Sequence, residues 1–160
     1  MDQYKKYLIP VYNYLSIRNR SEKEVRDYLK KKQAADEIIE HIVQLLTKQK
    51  FLNDEVFAKS WVSYRIRTNP RGKHLLRFEL QQKGIAKELI EKALQEEDEE
   101  LPDELARARS IIGKRIERLQ GQPKQEIYNK VGGFLSRRGF DFDIAKKAID
   151  RSLEDLKDSL

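Results

Sequence analysis

Three versions of one pentapeptide recur along the chain, and they constrain the fold more than any other feature. Leu29-Lys30-Lys31-Lys32-Gln33 is followed at an offset of 51 residues by Leu80-Gln81-Gln82-Lys83-Gly84, and at a further 55 by Leu135-Ser136-Arg137-Arg138-Gly139. The apolar positions around them keep those offsets. Val25, Leu76 and Val131 lie four residues before each leucine, Ile38, Leu89 and Ile144 nine after it, and Val43, Leu94 and Ile149 fourteen after it. Self-similarity of this period marks stacked supersecondary units, each too thin to bury its apolar face alone.

Each copy reads as helix, tight turn, helix. Ser21 and Glu24 have the spacing of a capping box, in which each side chain satisfies a free backbone donor of the other residue. Asn69 is the predicted N-cap of the second copy, with Pro70 at the first helical position, where its missing N–H costs nothing; Pro123 takes that part in the third. Gly84 and Gly139 suit the left-handed residue that commonly ends a helix, and Gln33 in the same place predicts a looser or altered first turn.

A further amphipathic stretch precedes each pair, at residues 8–17, 54–66 and 104–119. In the middle one Val56, Phe57, Ser60, Trp61 and Tyr64 recur at helical spacing and predict its apolar face. The expected fold is all-α: three tandem three-helix repeats of helix-turn-helix type, residues 1–50, 51–100 and 101–160, forming an elongated, curved array. The boundaries fall near residues 48–53 and at the acidic run 96–100 with Pro102.

Composition agrees with this reading. Hydrophobic residues make up 39% and charged residues 38%, which fits several amphipathic helices over thin cores better than one thick core. Seven glycines and four prolines leave little turn chemistry for strands. The chain has no cysteine, which excludes a disulfide framework and a thiolate zinc site. No apolar run approaches the ~20 residues of a membrane span. The first residues, Met1-Asp2-Gln3-Tyr4-Lys5-Lys6, lack the apolar core of a signal peptide, so a cytoplasmic protein is expected.

The charge is unevenly spread. Residues 60–90 hold seven Lys/Arg against two acids, residues 94–104 seven acids and no base, and residues 105–138 nine bases against two acids. Basic segments of this size suit a polyanion or the acidic face of a protein, although a solvated helix surface gives the same pattern. Arg65, Arg67, Arg71, Lys73, His74, Arg77 and Lys83 crowd a junction sharpened by Pro70 and Gly72. Arginine forks beside a helix N-terminus suit phosphate or carboxylate recognition. Arg107, Arg109, Lys114, Arg115 and Arg118 form a second basic run.

Catalytic and metal chemistry find little material here. There are two histidines, His41 and His74; Glu37 and His41, four apart on a helix, would give at most a two-ligand metal site. No catalytic residues, cofactor or metal are therefore expected. Gly72-Lys73 lacks the upstream glycine and the following Ser/Thr of a phosphate loop. Gly132-Gly133 within a helical pattern predicts close packing against a neighbouring helix, and Trp61 reads as core before it reads as a stacking platform. The reading is a binding protein.

Two adjacent segments resemble the central signature of the RecX family. The first is Phe51-Leu52-Asn53-Asp54-Glu55-Val56-Phe57-Ala58 with Trp61 and Arg65. The second runs from Arg71-Gly72-Lys73-His74 through Glu79-Leu80 to Lys83-Gly84-Ile85. Tyr14-Leu15-Ser16 and Arg20 to Val25 are similar to the family's first helix and its capped successor; the similarity spans roughly residues 7–155. Asn53 stands where the family more often has Asp, and either caps a helix. The resemblance implies tandem three-helix repeats without catalytic activity, which bind in the groove of the RecA filament on single-stranded DNA. It also implies inhibition of ATP hydrolysis, strand exchange and co-protease action in DNA repair and recombination, with some members touching DNA directly. On that view Arg65, Arg71, Lys73 and Arg77 lead the contacts and Arg137 and Arg138 anchor the last repeat, in a protein taken as a monomer. Two other readings stay open: a helix-turn-helix DNA-binding protein, and a helical scaffold with another protein partner.

Overall fold

The computed structural model describes residues 3–96 and 101–159, and among these the chain forms nine helices and no strand. In chain order they are α1 (Lys5–Ile17), α2 (Glu22–Lys31), α3 (Asp36–Lys48), α4 (Asp54–Thr68), α5 (Lys73–Gln82), α6 (Lys87–Gln95), α7 (Glu104–Arg118), α8 (Lys124–Arg137) and α9 (Phe142–Asp158). They make three three-helix sets in tandem. Most of the acidic run expected at the second boundary, residues 97–100, and also Met1 and Asp2, lie outside the described residues.

Local chemistry explains where several helices start. The Ser21–Glu24 capping box forms as its spacing predicts. Asp103 and Asp141 cap α7 and α9 by accepting from Ala106 and Ile144. In α4 the buried row is Ala58, Val62 and Ile66 with Phe57, whereas Val56 and Tyr64 are exposed and Trp61 is half-buried. The predicted apolar face therefore holds at Phe57 and in part at Trp61, and fails at Val56 and Tyr64. Apolar residues surround this helix, so spacing alone permitted two stripes and tertiary packing chose between them.

The three turns after α2, α5 and α8 are the same turn. Gln33 adopts φ +64°, beside +74° at Gly84 and +89° at Gly139. In each, the next residue's N–H returns to the carbonyl of the repeat leucine: Ala34 to Leu29, Ile85 to Leu80 and Phe140 to Leu135, at 3.0 to 3.1 Å. The looser first turn expected from Gln33 does not occur. What differs is the space. A Cβ on Gly84 would stand 2.6 Å from Lys23 Cβ, and one on Gly139 2.3 Å from Leu75 Cβ, whereas Gln33 is exposed.

Contacts group the residues into two compact units, Met1–Ser60 with Leu80–Ala93, and Trp61–Glu79 with Leu94–Leu160; the division falls inside α4, α5 and α6. In the first unit Val11, Val25, Leu29, Ile39, Ile42, Val43 and Leu46 form the core of α1 to α3. In the second, Ala108, Ile112, Ile116, Val131, Leu135, Ala148 and Ile149 form that of α7 to α9.

Each unit contains one seam between successive repeats, built by the same rule. The glycine turn of the later repeat sits on the start of the earlier repeat's second helix, and an acid opening the later repeat's first helix accepts an N–H there. Asp54 Oδ1 accepts from Glu22 N at 2.9 Å in the first unit, and Glu104 Oε2 from Lys73 N at 2.7 Å in the second. Both acids fill free donors at a helix start, where the dipole also favours negative charge.

Asp54 yields a pH prediction. Burial pushes its carboxyl above the ordinary value of 3.8, against the lowering effect of the Glu22 N–H bond. The folded state then holds this proton more tightly than the unfolded chain. Its contribution to stability accordingly falls as pH rises from the ordinary value through the raised one. Asp54→Asn keeps the acceptor and removes the charge. Its urea midpoint is expected to rise relative to the parent at pH 7 but not at pH 3; equal effects at both would show that the charge is not the cause.

Candidate functional site

The basic junction lies in the second unit, and a carboxylate organises it. Arg65 leaves the end of α4 and Arg71 stands in the loop before α5, yet both reach Glu79 on α5. Arg71 Nη1 donates to Glu79 Oε1 at 2.7 Å, Arg65 Nε lies 3.2 Å from Oε2, and Trp61 Nε1 donates to Oε2 at 3.0 Å. The Arg65 guanidinium also lies over the Trp61 ring, 4.6 Å from its centroid, a favourable cation–π placement. Arg65 and Arg71 are thus brought together as predicted, but by a residue that sequence reasoning did not single out. Its signal was the Glu79-Leu80 pair opposite a basic-glycine turn.

The start of α5 differs from expectation. Asn69 does not cap it and Pro70 is not its first residue; the helix begins at Lys73. Asn69 Oδ1 instead accepts from Arg138 Nη1 at 3.1 Å. The free N–H groups of Gly72 and His74 donate to the carbonyls of Arg138 and Gly139, at 2.9 and 3.1 Å, and that of Lys73 to Glu104. Gly72 permits this approach, because a Cβ there would stand 2.3 Å from Gly139 C. The helix N-terminus expected to help bind an anion is sealed from within the chain.

The remaining candidates divide by exposure. Arg67, His74 and Arg137 are exposed, and Lys73 and Arg77 partly so. Lys83 belongs to the first unit, where its Nζ lies 3.6 Å from Glu24 Oε2. Arg107 is fully buried, and its Nε and Nη1 donate to the carbonyls of Arg71 and Pro102, each at 3.1 Å. It therefore holds the junction's backbone and presents no surface to a partner, which corrects its nomination as a contact. Arg109 pairs with Asp155, and Arg138 adds the Phe134 ring to its bond with Asn69. In the second basic run Lys114, Arg115 and Arg118 are exposed, with Arg115 over Phe134 at 3.8 Å.

The close packing expected at Gly132-Gly133 is absent. A Cβ on Gly132 would meet nothing within 4 Å, and one on Gly133 meets Arg137 Nη1 at an ordinary 3.4 Å. His41 packs its ring on Tyr4 at 4.4 Å. Among the described residues no three His, Asp or Glu side chains gather as metal ligands, and no helix is long and apolar enough to cross a membrane.

Comparison with known proteins matches this arrangement to three family models in order. They describe the first three-helix domain of RecX at residues 11–46, the second at 53–94 and the third at 102–149. The regulatory protein RecX of Bacillus pumilus is 35% identical over 153 residues, covering 96% of this chain and 57% of that protein. That of Bacillus subtilis is 34% identical over 150 residues, covering 94% and 56%. The chain thus spans somewhat over half the length of these relatives. The crystal structure of RecX from Lactobacillus salivarius superposes with a TM-score of 0.85 at 26% identity, covering 94% of this chain and 97% of that one. A second crystal structure, of a regulatory protein RecX, gives 0.80 at 29% identity, covering 93% and 72%.

Proposed function

The chain belongs to the RecX family of regulatory proteins, and we propose that it binds the RecA recombinase filament on single-stranded DNA and restrains it without chemistry of its own. The observation that carries this reading is the tandem match of three RecX domains across residues 11–149. The charge map supports it. The Arg65–Arg71 pair shares its segment with the exposed Arg67 and His74 and the partly exposed Lys73 and Arg77, and Arg137 is exposed on the last repeat. These groups suit a groove lined by acidic side chains and DNA phosphates, where complementary charge raises the association rate and fixes register.

The deciding measurement is RecA-catalysed ATP hydrolysis on single-stranded DNA while this protein is titrated in. Hydrolysis is expected to fall. Inhibition at a small fraction of the RecA concentration would indicate capping of filament growth, and inhibition only near saturation would indicate groove occupancy. Undiminished hydrolysis at an excess of folded protein would overturn the proposal.

A further inference from the structure

Position 79 directly precedes the leucine of the repeated pentapeptide, and its counterparts are Tyr28 and Phe134. In the first repeat Tyr28 stacks on Tyr14 at 4.3 Å, and Arg20 lies over the Tyr14 ring at 3.9 Å. In the third, Arg115 lies over Phe134. Each repeat immobilises an arginine around this position. The third holds a second, Arg138, over the same Phe134 ring, and the middle one holds its two with a carboxylate in place of a ring.

That cluster keeps unused capacity for an anion. Two guanidinium groups face one carboxylate, leaving a net charge of +1, and each guanidinium carries five N–H donors. Glu79 takes one hydrogen bond from Arg71 and faces the Nε of Arg65. The two Nε atoms are buried, the Arg65 one 3.2 Å from Glu79 Oε2, whereas 28% of the Arg65 side chain and 20% of the Arg71 side chain remain open to solvent and to an incoming group.

We infer that Glu79 is a positioning residue which, with Trp61, holds Arg65 and Arg71 as a preformed receptor for carboxylates of an acidic protein partner. The inference rests on the junction being a contact surface and names the chemistry it takes. A carboxylate is the ligand because the pair already spans one, Arg71 on Oε1 and Arg65 near Oε2. The backbone donors that would add phosphate recognition at the start of α5 are occupied by Glu104 and by the carbonyls of Arg138 and Gly139. Fixing long side chains in advance lowers the ordering cost of binding.

Trp61 is the chain's single tryptophan, so its fluorescence reports on this cluster. Titration with poly-L-glutamate is expected to change that emission saturably. Glu79→Gln is expected to weaken binding about fivefold, as freeing two long side chains implies. Its sign is decisive: the variant raises the net charge by one, so a purely electrostatic role for Glu79 would tighten binding. Glu79→Asp is expected to restore most of the affinity, and Arg71→Lys to lose it although the charge is kept, because lysine lacks the planar fork. Unchanged or tighter binding by Glu79→Gln overturns the inference, as does a Trp61 response to oligothymidylate but not to polyglutamate. If circular dichroism shows that Glu79→Gln does not fold, Arg65→Lys and Arg71→Lys carry the test, and unchanged polyglutamate binding by both overturns it. Should the parent bind polyglutamate but leave RecA unaffected, the proposed function fails and this inference stands. Inhibition of RecA without polyglutamate binding overturns the inference and leaves the proposed function standing.

Discussion

Gly139→Ala is expected to cost the second unit roughly 2 to 5 kcal/mol, a large part of a small domain's stability. Two effects add. At φ +89° a side chain is strained by its own backbone, and the new Cβ would stand 2.3 Å from Leu75 Cβ and 2.5 Å from Leu75 N. Leu75 cannot retreat cheaply, because its turn of helix is tied to the other repeat by the bonds from Gly72 N to Arg138 O and from His74 N to Gly139 O. A graded series separates the two effects. Gly121→Ala has the strain of φ +86° with nothing within 4 Å, so it is expected to lose only about 1 kcal/mol. Gly84→Ala meets Lys23 Cβ and the flexible Cδ at 2.6 Å and falls between. Gln33→Gly, which relieves strain at an exposed turn, is expected to be neutral to stabilising. Thermal melts followed by circular dichroism rank the four, and equal losses at 84, 121 and 139 would show that space is not what separates them.

This series also shows why the sequence told so much of the fold and less of the site. The helices, the Ser21–Glu24 box and the glycine turns follow from patterns within a dozen residues, and such patterns are visible in one chain. Gln33 misled because a left-handed residue and a crowded one both read as glycine; only the second demands it, and crowding is a long-range property. Asn69 misled for a related reason. Its spacing suits a cap, but Arg138, 69 positions away, takes its oxygen. Arg107 sits in a run of bases at helical spacing, and nothing local distinguishes an arginine under its neighbour's carbonyl from one in water. Glu79 stayed hidden because a basic surface is recognised by its positive charges, whereas the residue that orders two of these arginines is negative.

The same distinction decides how the functional surface should be mutated. Reversing Arg65, Arg71, Arg107 or Arg138 would break the Glu79 clamp or the seam of the second unit, so lost inhibition would report lost folding. Arg67 and Arg137 are both exposed, near the ends of α4 and α8. The double variant Arg67→Glu/Arg137→Glu is expected to stay folded and to melt only a few degrees below the parent, because each reversal places a negative charge in the last turn of a helix at a cost of about 0.3–1 kcal/mol. It is also expected to raise the concentration for half-inhibition of RecA ATP hydrolysis roughly tenfold, about 1.4 kcal/mol of binding lost over two reversed charges. Salt provides the internal check. Added salt screens exposed charges, so it should weaken inhibition by the parent more steeply than inhibition by the variant. A folded double variant that inhibits like the parent at low salt would place the contact surface elsewhere. Arg107→Met tests the buried residue from the other side. It is expected to lower the melting temperature, because the carbonyls of Arg71 and Pro102 lose a charged donor, while the protein that remains folded still inhibits.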